Sequence, residues 1–104
     1  MKSGHIAIIG CLLALAAAQP ARAQDDKAKI EAGVEVYNNY CFTCHGENLV
    51  SSGQTFDLRR LKPEDRKRFD TAVENGKGQM PPWKGVIDDT QREAVWTYIM
   101  SQRH

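Results

Sequence analysis

The chemistry-bearing part of this sequence is one short run of two thiols and an imidazole, Cys41-Phe42-Thr43-Cys44-His45. Two cysteines three positions apart on a helical turn can each form a thioether with a vinyl group of a haem. The adjacent histidine can then reach the haem iron from the same side. This Cys-x-x-Cys-His spacing is the attachment signature of c-type haem. The sequence therefore predicts one haem c, bound covalently through Cys41 and Cys44, with His45 as an axial ligand.

Three other sites could use the same residue types. A zinc site needs four ligands, and the chain offers no second Cys or His pair. A thioredoxin-like dithiol is expected next to a βαβ pattern, and no such pattern occurs here. A structural disulfide between Cys41 and Cys44 would close a very short loop and so stabilise little. These alternatives are weaker than haem attachment.

The second axial ligand decides the function, because an open position permits ligand binding or peroxide chemistry, whereas a methionine suits electron transfer. Met80 lies in Lys77-Gly78-Gln79-Met80-Pro81-Pro82. Proline restricts the residue before it to extended backbone, and glycine lets the backbone approach a flat cofactor. We expect Met80 to ligate the iron. The alternatives are that Met80 only fills a gap in the core, or that Met100 is the ligand.

The N-terminus has the pattern of an export signal. Lys2 and His5 precede an apolar run over residues 6–18, and Ala21-Arg22-Ala23 follows as a small-x-small cleavage site. The run is too short to span a bilayer, which needs about 20 residues. We predict a signal peptide over 1–23 and a mature domain over 24–104. A buried N-terminal helix and lipoprotein processing at Cys11 are the alternatives.

Three helical segments must position the predicted site. They cover about 27–40, 63–75 and 89–102, and the first and last have an apolar face at helical spacing. Asp88 and Gln91 form a potential capping box, and Pro63 suits the first position of a helix. The sequence predicts an all-α domain. Its net charge of +1 and pI near 7.7 give no electrostatic support for binding nucleic acid.

These motifs resemble the small class I cytochromes c over essentially all of residues 24–104. Gly33, Tyr37 and Cys41 match the family's Gly-x-x-x-aromatic pattern, and the segment around Met80 is similar to its Gly-x-Met-Pro loop. The resemblance implies that the N- and C-terminal helices cross closely at Gly33 and that the haem occupies a central pocket. It also implies a one-electron carrier and not an enzyme.

A finer resemblance concerns the cytochrome domains of bacterial quinoprotein alcohol dehydrogenases. It consists of Cys44-His45-Gly46, Ser52-Gly53 and Asp57-Leu58-Arg59. It implies a PQQ-dependent dehydrogenase as electron donor, with a terminal oxidase or another cytochrome as acceptor. We expect a periplasmic monomer with no membrane span after removal of the signal.

Further residues are candidates for the haem pocket. Leu58, Leu61 and Phe69 are expected as its walls, and Trp83 as a cover for the haem edge or a donor to a propionate. Arg59 could bind a propionate, because guanidinium matches carboxylate geometry, or it could belong to a solvated loop. The sequence departs from the resembled family in having no proline between Gly46 and Lys62. The carbonyl that would orient His45 is therefore not identified.

Overall fold

The protein is described by a computed structural model covering residues 21–104. Its helices, joined by loops and 3-10 turns, confirm the all-α prediction, and the part of the chain that the structure describes has no strands beyond two isolated bridges. Most of the predicted signal peptide lies outside the described residues. The α-helices are α1 Ala21–Tyr40, α2 Phe42–His45, α3 Arg66–Asn75 and α4 Asp89–Gln102, with 3-10 turns at Glu47–Leu49, Leu58–Arg60 and Pro63–Asp65.

Helices α1 and α4 form the main packing contact, and Gly33 allows their close approach. A Cβ atom added at Gly33 would lie 2.7 Å from the carbonyl carbon of Ala94 and 2.9 Å from Cβ of Tyr98. Real Cβ atoms are essentially never this close to other heavy atoms. One turn further along α1, the rings of Tyr37 and Tyr98 meet edge to face with centroids 5.6 Å apart. The predicted crossing of the terminal helices is confirmed.

The boundaries of α4 agree with those predicted from the sequence, whereas those of α1 and α3 differ from the prediction. The capping box is present at α4: the Gln91 backbone N–H donates to Asp88 at 2.7 Å, and the Asp88 N–H donates to Gln91 at 2.9 Å. Helix α1 is already helical at Ala21, the first described residue, and therefore extends beyond the predicted start. The predicted helix at 63–75 opens as a 3-10 turn at Pro63–Asp65 and becomes α-helical only at Arg66.

A network of ion pairs joins α3 to α4. Arg92 of α4 is only 13% exposed and donates to Asp70 at 2.9 Å and Glu74 at 3.1 Å, both on α3. Arg66 of α3 contacts Asp70 at 3.0 Å and Glu93 of α4 at 2.9 Å. Because each guanidinium bridges the two helices, the network fixes their relative position and with it the ends of the loop between them. Within residues 21–104, no helix is both long and apolar enough to span a membrane.

Candidate functional site

A mostly apolar cavity of about 520 Å³ lies between the helices, the loop that joins α2 to α3 and the loop that joins α3 to α4. Ligand cavities in proteins typically have volumes of about 300–1,000 Å³ and an apolar lining with a few polar groups. Eight of the nine site residues expected from the sequence line this cavity. They are Cys41, Cys44, His45, Leu58, Leu61, Phe69, Met80 and Trp83.

The two thiols lie at the junction of α1 and α2. The Cys41 backbone N–H donates to Tyr37 at 2.8 Å, and the His45 N–H donates to Cys41 at 2.9 Å. One continuous helical path therefore carries both cysteines and the imidazole to the cavity. Burial, with a smaller effect of Cys44, raises the pKa of the Cys41 thiol to about 12. Reactive thiols have a lowered pKa, so Cys41 does not have the environment of a redox-active nucleophile.

The imidazole of His45 is half-buried, and one of its ring nitrogens contacts a threonine hydroxyl. Its Nδ1 lies 3.4 Å from Oγ1 of Thr55, and that hydroxyl is 3.0 Å from the carbonyl oxygen of Cys44. Burial lowers the pKa of His45, and a hydrogen bond with the Phe56 backbone opposes this shift. The neutral imidazole that burial favours is the form that binds metal ions.

Met80 is carried by a tight turn that follows α3. The Lys77 N–H donates to the Met80 carbonyl and the Met80 N–H donates to the Lys77 carbonyl, both at 3.0 Å. Gly78 occupies the turn with φ 59°, a left-handed conformation that favours glycine. The Trp83 backbone N–H donates to the Val73 carbonyl at 2.8 Å, so the chain beyond Met80 lies against α3 again. This arrangement places the Met80 thioether at the cavity.

Met100, the other methionine considered as a ligand, has a different environment. It packs against the hydrophobic core and does not line the cavity. The structure therefore brings Met80, and not Met100, to the same cavity as His45.

Arg59 is the expected site residue that the structure does not bring to the cavity. Its guanidinium forms two hydrogen bonds of 3.1 Å with the carboxylate of Asp57, which itself caps the 3-10 turn at Leu58–Arg60. The cavity is instead lined by Arg68, Lys77 and Arg92. Arg92 is engaged by carboxylates, so Arg68 and Lys77 are the exposed cations at the cavity rim. Sequence reasoning missed both, because charges on a helix and in a loop are usually solvated.

A haem fits these residues better than a bare metal ion. Among residues 21–104, no three His, Cys, Asp or Glu side chains cluster as they would in a metal-ion site. The cavity instead combines two thiols, one imidazole and one thioether with apolar walls. Thiols, imidazole and thioether are the groups with which c-type haem is attached and ligated.

Comparisons with known proteins agree with this chemistry. Residues 28–99 match the family described as cytochrome c oxidase, cbb3-type, subunit III. Cytochrome c6 from Euglena viridis is 32% identical over 78 residues, which is 68% of this chain and 90% of that protein. Quinohemoprotein alcohol dehydrogenase ADH-IIG from Pseudomonas putida is 33% identical over 88 residues, or 83% of this chain. This chain matches only 12% of the length of that dehydrogenase.

A solved structure of the same dehydrogenase shows that the likeness extends to the fold. It superimposes on 77% of this chain with a TM-score of 0.70 and 34% sequence identity, again over 12% of the larger protein. The relatives are named as a cytochrome c and a quinohemoprotein, and the donor groups at the cavity are those with which c-type haem is attached and ligated.

Proposed function

This chain belongs to the cytochrome c family, and we propose that it is a periplasmic mono-haem carrier of single electrons and not an enzyme. The single observation that carries the proposal is the meeting of Cys41, Cys44, His45 and Met80 at one apolar cavity. The bound haem would supply an iron centre that alternates between its ferrous and ferric states. The protein's contribution is to attach this group, ligate it from two segments and restrict solvent access to it.

Covalent attachment is assigned to Cys41 and Cys44. Both are free thiols, and both line the cavity from the α1–α2 junction. Leu58, Leu61 and Phe69 would provide apolar walls, and Trp83 would cover one side. Haem-specific staining after denaturing electrophoresis tests the attachment, because a thioether-linked haem stays with the polypeptide. A wild-type protein that loses its haem on denaturation would contradict it.

His45 and Met80 are assigned as the axial ligands. A methionine ligand closes the iron to exogenous ligands and raises its reduction potential, which suits electron transfer. The ferric wild-type protein should therefore show a methionine–iron charge-transfer band. Met80→Leu should abolish this band, whereas the control Met100→Leu should retain it, because Met100 packs in the core. Absence of the band from the wild type would favour a gas-binding or peroxide-reducing haem protein instead.

Export to the periplasm is proposed from the N-terminal sequence pattern. Cleavage after Ala23 would leave Gln24 as the first residue. N-terminal sequencing of protein from a periplasmic extract tests this directly. Full-length protein retained in the cytoplasmic fraction would contradict the proposed location, and such protein should lack covalent haem.

A PQQ-dependent dehydrogenase is proposed as the electron donor, with a terminal oxidase or another cytochrome as acceptor. The support is the similarity to the cytochrome region of a quinohemoprotein alcohol dehydrogenase. Redox encounters use small, weak interfaces, so stopped-flow reduction is a better assay than stable complex formation. Rapid haem reduction by the dehydrogenase with its alcohol, and none without the alcohol, is the expected result. Equally slow reduction in both cases would exclude this donor.

A further inference from the structure

The two segments that carry the proposed axial ligands meet through a pair of aromatic rings. Tyr40 is the last residue of α1 and directly precedes Cys41, and Trp83 follows Met80 in the loop between α3 and α4. The rings of Tyr40 and Trp83 meet edge to face, with centroids 5.4 Å apart and an angle of 62° between their planes. We propose that Tyr40 is a positioning residue that holds the Met80 loop (residues 77–83) closed through Trp83. This inference rests on the proposed function, in which Met80 ligates the haem iron.

The backbone contacts of the Met80 loop anchor it on the side of α3. The turn is closed by the paired hydrogen bonds between Lys77 and Met80, both of 3.0 Å. The Trp83 N–H donates to the Val73 carbonyl of α3 at 2.8 Å. These bonds run within the loop or to α3. The ring contact of Trp83 with Tyr40 is different, because it joins the loop to the residue next to the haem-attachment run.

Tyr40 is a fixed point on the attachment side of the cavity. The helical path continues through it, since the Cys41 N–H donates to the Tyr37 carbonyl at 2.8 Å. Tyr40 and Trp83 are both half-buried, and both pack against the hydrophobic core and line the cavity. Aromatic pairs in this edge-to-face arrangement stabilise a contact beyond what the buried area alone contributes. The pair therefore links the two ligand-bearing segments through the protein itself.

This contact should bias the equilibrium between a closed Met80 loop and an open one. In the closed state the thioether is at the iron, whereas in the open state another ligand can take its place. A contact that exists only in the closed state shifts the equilibrium toward it by the free energy of that contact. An added ligand such as imidazole binds only the open state, so its apparent affinity rises with the open fraction. An aromatic pair corresponds to a factor of about three to ten in such an equilibrium.

The experiment titrates imidazole into the ferric holoproteins and follows the methionine–iron charge-transfer band. Tyr40→Leu keeps an apolar side chain without the ring, and it should bind imidazole about three- to tenfold more tightly than the wild type. Tyr40→Phe keeps the ring and should match the wild type. Val36→Ala is the control for a general loss of packing, because Val36 is buried on the same helix and does not line the cavity. It should lower the thermal midpoint and leave the imidazole affinity unchanged.

A double-mutant cycle separates positioning through Trp83 from a direct effect of Tyr40 on the cofactor. Trp83→Leu removes the partner ring, so Tyr40→Leu should have no further effect on imidazole affinity in that background. Equal effects of Tyr40→Leu in the wild-type and Trp83→Leu backgrounds would overturn the proposal.

Other results would also contradict the role of Tyr40. These are wild-type imidazole affinity in Tyr40→Leu, and a Tyr40→Phe protein as altered as Tyr40→Leu. A Tyr40→Leu protein that does not mature with haem also counts against the proposal, because a ring that acts on the Met80 loop is not needed for attachment at Cys41. Failure of the proposed function looks different, because the wild type itself would then lack covalent haem or the methionine–iron band.

Discussion

Substitution of Gly33 by alanine tests whether the contact between α1 and α4 is as tight as the structure indicates. On an open helix surface this change stabilises a protein by about 1 kcal/mol, because alanine is the better helix former. Here the new methyl carbon would lie 2.7 Å from the Ala94 carbonyl carbon, where ordinary contact begins at 3.4 Å. The backbone of α4 cannot rotate away as a side chain can. The two helices must therefore separate.

The expected effect is a net loss of stability. Overpacking of this kind costs about 1–3 kcal/mol, and the gain in helix propensity offsets part of it. We expect the free energy of unfolding to fall by about 1–2 kcal/mol, with a lower urea midpoint and an unchanged slope. The assay is urea unfolding of the holoprotein followed by far-UV circular dichroism. Loss of a haem absorbance signal on the same titration would show that the cavity opens with the helices.

The control for this prediction is Glu35→Ala, an exposed position on the same helix. It should change stability by no more than about 0.5 kcal/mol, as surface substitutions usually do. A Gly33→Ala protein that equals or exceeds the wild type in stability would refute the reasoning. Such a result would mean that α1 and α4 are further apart than the contact at Ala94 requires.

The remaining predictions concern a hydrogen bond, an ion pair and the cofactor. Tyr37→Phe should lower stability by about 1 kcal/mol in the same urea assay, because its hydroxyl donates at 2.6 Å to a backbone carbonyl at the end of α2; an unchanged midpoint would contradict this. The hydrogen bond from Arg59 lowers the pKa of Asp57 from 3.8 to about 2. The ionised Asp57 carboxylate therefore contributes to the free energy of unfolding above pH 3.8, and this contribution is lost as the pH falls through 2. Acid titration should show the wild type losing up to about 1 kcal/mol relative to Asp57→Asn over that range, and parallel curves would refute the assignment. Replacing Cys41 and Cys44 together by alanine should leave no cooperative thermal unfolding transition, because so short a chain has too small a core without the haem; a sharp calorimetric transition would disprove this.

The sequence was a good predictor of the features set by local spacing. The capping box at Asp88 is a local pattern, and the helix that it predicts is present; the Cys41–His45 run is another, and its thiols and imidazole line one cavity. The α1–α4 crossing at Gly33 also followed from a short motif, through its family resemblance. Each of these depends on residues within about one or two helical turns.

Features that depend on distant partners were not predictable in the same way. Arg59 has the right chemistry for a propionate, but the adjacent Asp57 holds its guanidinium away from the cavity. Arg68 has the spacing of a solvated helix residue, yet its guanidinium lies 4.9 Å from the ring centroid of Phe56 at the cavity. Thr55 carries no sequence signal for contact with His45. Only the folded path of the loop between α2 and α3 brings these side chains together.

The Met80 turn has a consequence for the speed of the proposed reaction. An electron moves fastest when the atoms around the redox centre need little displacement as the charge changes. Paired hydrogen bonds close this turn, and Trp83 ties the chain beyond it to α3 at 2.8 Å. The ion pairs of Arg92 fix the helices on both sides. A thioether held in this way would keep nearly the same position in both oxidation states, so the fold itself would lower the reorganisation energy of transfer.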